Sequence, residues 1–243
     1  MKQSYKMEDA LIIQNKYYHD TAAEYDIMHM HEEVDPEHEL AFYFMCSMIE
    51  KLNIKSVLDV GAGTGRVVID LQKKYPGLRV TGIEPVAELR EQGYKKGILK
   101  NDLITGDGKK IDFPEDQFDM VCAFGILHHI DKPEQVIKEM LRVSKYAIFI
   151  SDSNNFGQGG RIARSVKQAI NALGLWNAYN YIRTKGKKYQ ISEGDGLFYS
   201  YSVFNNFPLI KQNCKSVHLL NTRDAGINPY RTASHAALLG IKK

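Results

Sequence analysis

Residues 57–71, VLDVGAGTGRVVIDL, have the residue types of a ligand cradle. Apolar residues around Asp59 predict a buried strand, and the apolar periodicity that follows predicts the start of a helix. Three glycines, Gly61, Gly63 and Gly65, stand between the two elements. Because glycine has no Cβ, such a turn can adopt positive φ and lets a ligand approach the backbone closely. The segment therefore predicts a binding site at a strand–turn–helix junction.

The glycine spacing differs from that of the dinucleotide fingerprint. In the pattern G-x-G-x-x-G the third glycine would stand where this chain has Arg66. The run DVGAGTG instead resembles motif I of the class I methyltransferases, which use S-adenosylmethionine. The resemblance implies that Asp59 faces the amino group of the cofactor's methionine part. The turn residues implied to hold that part are Gly61, Ala62, Gly63 and Gly65.

Two acidic residues follow the next predicted strands. Glu84 ends the second strand, where the resemblance implies that it binds the ribose hydroxyls, since a carboxylate can accept two hydrogen bonds at once. Asp107 follows the third strand and is implied to meet the adenine amino group, with the Gly108 amide on a ring nitrogen. A solvated carboxylate and an ordinary D-G turn are the alternatives. Further residues implied to line the cofactor are Pro85 and Phe124.

Two adjacent histidines follow the fourth predicted strand, residues 118–124. Histidine suits a general base because its pKa lies near neutrality. The pair resembles small-molecule O-methyltransferases, which implies that His129, or else His128, deprotonates an acceptor hydroxyl. Asp152, just past the fifth strand, is a candidate to orient a histidine or to contact the acceptor. The alternative, that both histidines are structural, stays open.

The N-terminal segment offers aromatic residues that could cover the cofactor. Residues 17–26, YYHDTAAEYD, resemble the helix that lies over the cofactor in many small-molecule methyltransferases. A cation held against a tyrosine face gains about 0.5–2 kcal/mol. Tyr17, Tyr18 and Tyr25 are the candidates for this contact with the sulfonium, although tyrosines at helical spacing also serve as packing.

The elements that must position these residues alternate between strands and helices. The resemblance implies an α/β fold with a Rossmann-like sheet of seven mostly parallel strands, an antiparallel last strand and helices on both faces. In such a sheet the ligand crevice lies at the carboxyl ends of the strands, where most of the candidate residues stand. Within a single domain, residues 1–243, we expect four parts. They are an N-terminal helical cap at 1–52, a cofactor-binding core at 53–152, a helical insertion after strand 5 at 153–200, and the C-terminal part of the sheet at 201–243.

The insertion concentrates positive charge. Seven basic residues and no acidic residue lie at 153–192, in a chain whose net charge is only +3. It opens with a glycine-rich run that we expect to be flexible, followed by a helix with Ile162, Val166 and Leu173 on one face. Because variable loops over a site carry specificity, we interpret the insertion as a lid that attracts an anionic molecule. A solvated basic helix is the alternative, and a membrane-surface helix is less favoured.

Composition bounds the function classes. The chain has 243 residues, 44% hydrophobic and 25% charged, which suits one globular domain. Its three scattered cysteines have neither disulfide nor zinc spacing, so no metal is predicted. The modest charge, and a fourth strand that lacks an Asp/Asn-Pro-Pro-Tyr exit, argue against a nucleic-acid partner. With no apolar leader and no stretch of about 18 apolar residues, a cytoplasmic location is predicted.

Together these features predict an S-adenosyl-L-methionine-dependent methyltransferase that releases S-adenosyl-L-homocysteine. The expected partner is a small-molecule acceptor, a hydroxyl of a sugar or of a related anionic metabolite. N- or C-methylation of a small metabolite is one alternative, and a non-catalytic regulatory protein that binds the cofactor is another. The sequence leaves the oligomeric state open.

Overall fold

The computed structural model describes residues 2–24, 26, 36–223 and 226–243. Of the candidate residues, Tyr25 lies outside these ranges, so its predicted contact stays a prediction. The described strands are β1 (Ser56–Val60), β2 (Arg79–Ile83), β3 (Leu103–Ile104), β4 (Phe118–Phe124), β5 (Ser144–Ser153), β6 (Tyr189–Ser192), β7 (Gly196–Tyr199), β8 (Cys214–Arg223) and β9 (His235–Lys242). The described helices are α1 (Lys2–Thr21), α2 (Pro36–Leu52), α3 (Arg66–Lys74), α4 (Ala87–Lys95), α5 (Pro133–Val143), α6 (Arg161–Ala172), α7 (Trp176–Arg183), α8 (Phe207–Asn213) and α9 (Pro229–Thr232), with 3₁₀ turns at Leu127–His129 and Val203–Asn206.

Seven strands form one sheet in the spatial order β3-β2-β1-β4-β5-β9-β8. Strands β1 to β5 pair in parallel, whereas β9 is antiparallel to both of its neighbours, β5 and β8. The predicted Rossmann-like sheet with an antiparallel last strand is therefore confirmed. Its parallel strands all end at one edge, and this edge is where the candidate site residues meet.

The sheet is buried on both faces because its strands alternate between two apolar cores. In β1, Leu58 and Val60 pack into the core that includes Val136 of α5. Val57, on the other face, packs into the core that includes Met45 of α2. Strands buried on both sides read as continuous apolar runs, which explains why the sequence signals them so clearly.

The C-terminal part of the sheet, expected at 201–243, begins with a 3₁₀ turn followed by α8. Strands β8 and β9 follow, and β8 pairs along nearly all of β9. None of the helices in the described ranges is both long enough and apolar enough to cross a bilayer.

The start of the insertion is fastened to the domain, although its glycine-rich run is predicted to be flexible. Asn154 is fully buried. Its Nδ2 donates to the carbonyl oxygens of Tyr230 at 2.9 Å and Ala233 at 2.8 Å. Its Oδ1 accepts from the Ser202 hydroxyl at 2.8 Å and from the Phe156 amide at 3.2 Å. The insertion thus leaves the sheet in a defined direction.

This packing predicts a difference between two nearby glycines. A Cβ at Gly157 would lie 1.7 Å from the carbonyl oxygen of Ala233, whereas a Cβ at Gly160 would meet nothing within 4 Å. We expect Gly157→Ala to lower the free energy of unfolding by about 1–3 kcal/mol or more, because backbone must move. The matched control, Gly160→Ala, should change it by less than about 0.5 kcal/mol. Urea denaturation measures both, and equal losses would contradict the packing described.

Candidate active site

A cavity of about 1060 Å³ opens at the carboxyl ends of the parallel strands. Sites for small molecules usually enclose about 300–1,000 Å³, so this one has room for a large ligand or for two. Among the predicted residues, Gly65 and Asp152 lie outside the lining. The predicted residues that line the cavity are Tyr17, Tyr18, Asp59, Gly61, Ala62, Gly63, Glu84, Pro85, Asp107, Gly108, Phe124, His128 and His129.

The glycine turn is held tightly against the end of β2. The amides of Gly61 and Ala62 both donate to the carbonyl oxygen of Ile83, at 2.9 and 3.0 Å. Gly61 has φ +70°, and a Cβ there would lie 2.8 Å from Cγ2 of Ile126. No other residue type fits this conformation and this space without strain. The turn therefore presents bare backbone to the cavity in a fixed position.

Glu84 is buried at the cavity wall, and burial raises the pKa of its carboxyl group. Its Oε2 accepts from the Gly63 amide at 3.0 Å and its Oε1 from the Val86 amide at 2.9 Å. Because each carboxylate oxygen accepts more than one hydrogen bond, both retain capacity for a ligand hydroxyl. The two amides fix the orientation of the carboxylate at the cavity wall.

Asp59 is a buried carboxyl group that faces the same cavity. Burial raises its pKa to about 7, although a hydrogen bond from the Cys122 thiol at 3.6 Å acts in the opposite direction. A ligand cation placed beside Asp59 would favour the ionised form. The residue is thus suited to receive an ammonium group.

Asp107 lies at the exposed rim of the cavity. Its Oδ1 accepts from the amide of Lys109 at 2.9 Å, which keeps the side chain turned back over its own loop. The Lys109 ammonium in turn pairs with Asp131 at 2.8 Å. Asp107 still has acceptor capacity for a ligand amino group.

His128 belongs to a buried ion pair. Its Nδ1 lies 2.7 Å from Oδ1 of Asp152, and the same oxygen accepts from the Ser153 amide at 2.6 Å. The other oxygen of Asp152, Oδ2, accepts from the Leu127 amide at 2.8 Å. Burial alone would lower the pKa of His128, but the charges of Asp152 and then Asp195 raise it to about 10. Burial would likewise raise the pKa of Asp152, and the His128 imidazolium lowers it instead. At neutral pH His128 is therefore a cation and not a base.

His129 has the opposite electrostatics. Its Nδ1 lies 2.7 Å from the carbonyl oxygen of Leu197, which can only accept, so we assign the proton to Nδ1 and a lone pair to Nε2. Burial, and then the charge of His128, lower the pKa of His129 to about 4. Its Nε2 lies 3.5 Å from Oδ1 of Asp195. His129 is thus neutral at physiological pH, with its acceptor nitrogen on the side of that carboxylate.

Asp195 is the residue that the sequence analysis missed. It stands between β6 and β7 inside the insertion and lines the cavity. One sequence feature could have indicated Asp195. The run SEGDG contains the first acidic residues after 153–192, a stretch without any acidic residue. Donor atoms of His128, His129 and Asp195 lie within 4.8 Å of one another, a set able to hold a divalent cation although the sequence predicts no metal.

Helix α1 and the β6–β7 hairpin close over the histidines together. Oε1 of Gln14 accepts from the Leu197 amide at 2.7 Å, and the Tyr17 hydroxyl donates to the carbonyl oxygen of Glu193 at 3.2 Å. The Tyr17 ring packs on Gly196, where a Cβ would lie 2.6 Å from it. Tyr17, predicted to cover the cofactor, therefore also supports the hairpin that carries Asp195.

The far end of the cavity is polar, and no sequence motif predicted it. It is formed where β5 ends, where β9 begins and where α2 starts. Among the described residues, the Ser151 hydroxyl is buried there without a hydrogen-bond partner. Burial, helped by Arg66, lowers the pKa of His38 to about 3. The residues at this end are Glu37, His38, Arg66, Ser151, Ser153, Arg223, Ser234 and His235.

Comparison with known proteins identifies the core. Residues 58–147 match a family model described as a methyltransferase domain. Residues 58–147 therefore belong to a methyltransferase domain, and S-adenosylmethionine is its cofactor.

Two curated relatives of this domain have named activities. The chain is 31% identical over 131 residues to a phosphatidylethanolamine N-methyltransferase of Cereibacter sphaeroides, covering 50% of this chain and 63% of the relative. It is 32% identical over 99 residues to a demethylmenaquinone methyltransferase of Thermotoga maritima, covering 40% and 42%. The chain thus spans between two fifths and two thirds of the length of these relatives.

Solved structures show that the fold extends beyond the matched domain. The plantazolicin methyltransferase, solved with a substrate analogue and S-adenosyl-homocysteine, superposes with a TM-score of 0.59 at 15% identity, covering 100% of this chain and 99% of that one. A possible histamine N-methyltransferase of Thermotoga maritima gives 0.58 at 15% identity, covering 94% and 99%. At such low identity the likeness concerns the fold alone.

The cavity of the methyltransferase domain fits this cofactor. Asp59 is a buried carboxyl group, and none of its hydrogen-bond partners within the described residues is basic, which suits the cofactor's ammonium group. The bare backbone at Gly61 and the oriented carboxylate of Glu84 suit the remaining polar groups. When bound, the cofactor supplies a methyl group on a positively charged sulfur.

The His128–Asp152 pair predicts a pH dependence. Because the folded-state pKa of His128 is raised to about 10, its stabilising contribution is complete below about 6.5 and declines as pH rises through 10. In Asp152→Asn the His128 pKa should fall, since its nearest negative charge is gone. NMR titration of the His128 imidazole measures the shift. Asp131→Asn, which removes a carboxylate paired with Lys109, is the control and should leave the His128 pKa near 10.

Proposed function

We propose that this protein transfers the methyl group of S-adenosylmethionine to a small-molecule acceptor bound beside His129 and Asp195. The observation that carries this proposal is the contrast between the two histidines. His128 is held as a cation by Asp152, whereas His129 is kept neutral with Nε2 as its acceptor atom. A neutral imidazole at the cavity wall can accept a proton from an acceptor group, and its lowered pKa, about 4, makes it a weaker base than an ordinary histidine.

The proposed step begins when an acceptor hydroxyl donates a hydrogen bond to Nε2 of His129. The bound cofactor would supply its methyl carbon to the attacking oxygen, and its sulfur would keep the electron pair of the carbon–sulfur bond. The hydroxyl proton moves to Nε2, and the resulting imidazolium is stabilised by Asp195 at 3.5 Å. The Nδ1 hydrogen bond to the Leu197 carbonyl keeps the ring oriented throughout.

The acceptor class follows from the rest of the cavity. The cavity volume leaves room for a second molecule. The far end of the cavity carries Arg66, two serines besides Ser151, buried histidines, and Arg223, whose guanidinium is paired with Glu37 at 2.9 Å. Hydrogen-bonding groups with arginines suit an oxygen-rich or anionic molecule, so we propose a hydroxyl acceptor. The names of the relatives, which include N- and C-methyltransferases, favour N- or C-methylation as the second candidate.

His129→Gln is expected to lower turnover by about 10²- to 10⁴-fold, because a general base is lost. Cofactor affinity should stay within about twofold, since the change lies away from the glycine turn. Methyl transfer from labelled cofactor to pools of phosphorylated sugars, phenols and amines measures turnover, and calorimetry measures affinity. His218→Gln, an exposed histidine on β8, is the matched control.

The results of that assay distinguish between the candidate functions. Unchanged turnover in His129→Gln would exclude the base and favour an amine or carbon nucleophile. Cofactor binding without transfer to any acceptor pool would favour the non-catalytic alternative.

Cofactor binding is expected to depend on two buried carboxylates. Glu84→Gln should weaken binding by about tenfold or more, because a charged hydrogen-bond acceptor is lost. Glu88→Gln, an exposed change on α4, is the control and should leave binding unchanged.

Asp59 is expected to make cofactor binding depend on pH. Its pKa of about 7 means that wild-type affinity should fall by up to about tenfold for each pH unit below 7, since binding must then ionise the group. Asp59→Asn should weaken binding at pH 8 by about 30-fold or more and remove this dependence. Calorimetry between pH 5.5 and about 8.5 covers the range. A wild-type affinity that is flat with pH would contradict the assignment of Asp59.

A further inference from the structure

Helix α6 packs against the domain with its polar side. Arg164 donates to the carbonyl oxygen of Thr232 at 3.2 Å, and the Lys167 ammonium donates to that of Gln158 at 2.8 Å. The Gln168 amide donates at 3.1 Å to the carbonyl oxygens of Phe156 and Arg231. Asn171 donates to the Tyr230 hydroxyl at 2.9 Å. These side chains lie on one face of the helix, because they recur at three- and four-residue spacing.

The opposite face of α6 is apolar and lies in solvent. Ile162 is 83% exposed, Val166 52% and Leu173, at the helix end, 72%. No residue of α6 is buried. Amphipathic helices of globular proteins normally turn their apolar face inward, so this orientation is reversed.

Helix α7 repeats the arrangement. Leu175, Tyr179 and Ile182 stand at spacing i, i+4 and i+7, and all three are exposed, Ile182 by 76%. On the inner side Trp176 packs on Phe156 with ring centroids 5.0 Å apart. Helices α6 and α7 contact each other, so we treat the exposed apolar residues of both as one surface. We call it the α6–α7 apolar surface, comprising Ile162, Val166, Leu173, Leu175, Tyr179 and Ile182.

Exposed basic residues accompany this surface. They lie at the start of α6 and from the end of α7 to the start of β6, and residues 153–192 contain no acidic side chain. The exposed cations are Arg161, Arg183, Lys185, Lys187 and Lys188. Apolar area edged by such cations is the composition of a helix that lies in the interface of an anionic bilayer.

We propose that the α6–α7 apolar surface docks on an anionic lipid bilayer. The charge distinguishes this occupant from a second copy of the chain, since a symmetric contact would bring two sets of the same cations together. The sequence favoured a substrate lid or a solvated basic helix over a membrane-surface helix, and the inward polar face of α6 reverses that preference. The proposal does not rest on methyl transfer, although Gln158 and Gly159, just before α6, line the cavity.

Sedimentation with phosphatidylcholine vesicles containing about 30% phosphatidylglycerol tests this proposal. We expect the wild-type chain to bind these anionic vesicles at least about tenfold more strongly than pure phosphatidylcholine vesicles. Binding to the anionic vesicles should weaken at about 0.5 M salt. The combined variant Ile162→Ser, Val166→Ser, Leu173→Ser and Ile182→Ser should lose at least about tenfold of this binding. The matched control, Leu99→Ser, changes a leucine that is 68% exposed on the sheet domain and should bind like wild type.

Because every substituted side chain is exposed, we expect each variant to fold. Circular dichroism and cofactor calorimetry check this. Equal binding to neutral and anionic vesicles, or equal binding of the combined variant and wild type, would overturn the proposal. The proposal would also be overturned if the wild-type chain did not bind vesicles but formed a dimer, and if the combined variant were a monomer. A second copy of the chain would then occupy the surface.

Discussion

The buried ion pair between Asp152 and His128 determines much of the site's electrostatics. A fully buried carboxylate is costly unless it is paired and hydrogen-bonded, and Asp152 meets this requirement with one imidazolium and two backbone amides. One of those amides belongs to Leu127, so the pair also fixes the 3₁₀ turn that presents both histidines. The charge that it keeps on His128 then lowers the pKa of His129. A single buried charge thus separates the two adjacent histidines into a cation and a neutral acceptor.

The insertion depends on a second set of polar contacts. Asn154 fastens its first residues, and the polar face of α6 fastens its first helix, both largely to backbone carbonyls near α9. Because these side chains must reach the domain to be satisfied, the apolar face of α6 is left in solvent. The β6–β7 hairpin returns the chain to α1 and brings Asp195 to the histidines. The same insertion therefore completes the cavity on one side and carries an unusual surface on the other.

Much of the fold was predictable, because its signals are local. The strand, glycine turn and helix around Asp59 are contiguous, and the buried parallel strands read as apolar runs. Asp195 and the polar end of the cavity were not predictable, since they reach the site through contacts far apart in sequence. Ser153 and His235, for example, lie opposite each other only because β9 pairs with β5. Periodicity predicted that α6 is amphipathic but could not predict which face packs.

The sequence by itself determined the cofactor cradle and the kind of sheet that carries it. Glycine conformations and alternating apolar residues act over a few residues, so spacing alone records them. The tertiary structure decided which histidine is charged, which carboxylate completes the site and which side of α6 meets solvent. Those outcomes depend on burial and on the distances between charges and polar partners remote in the chain, quantities that exist only once the chain has folded.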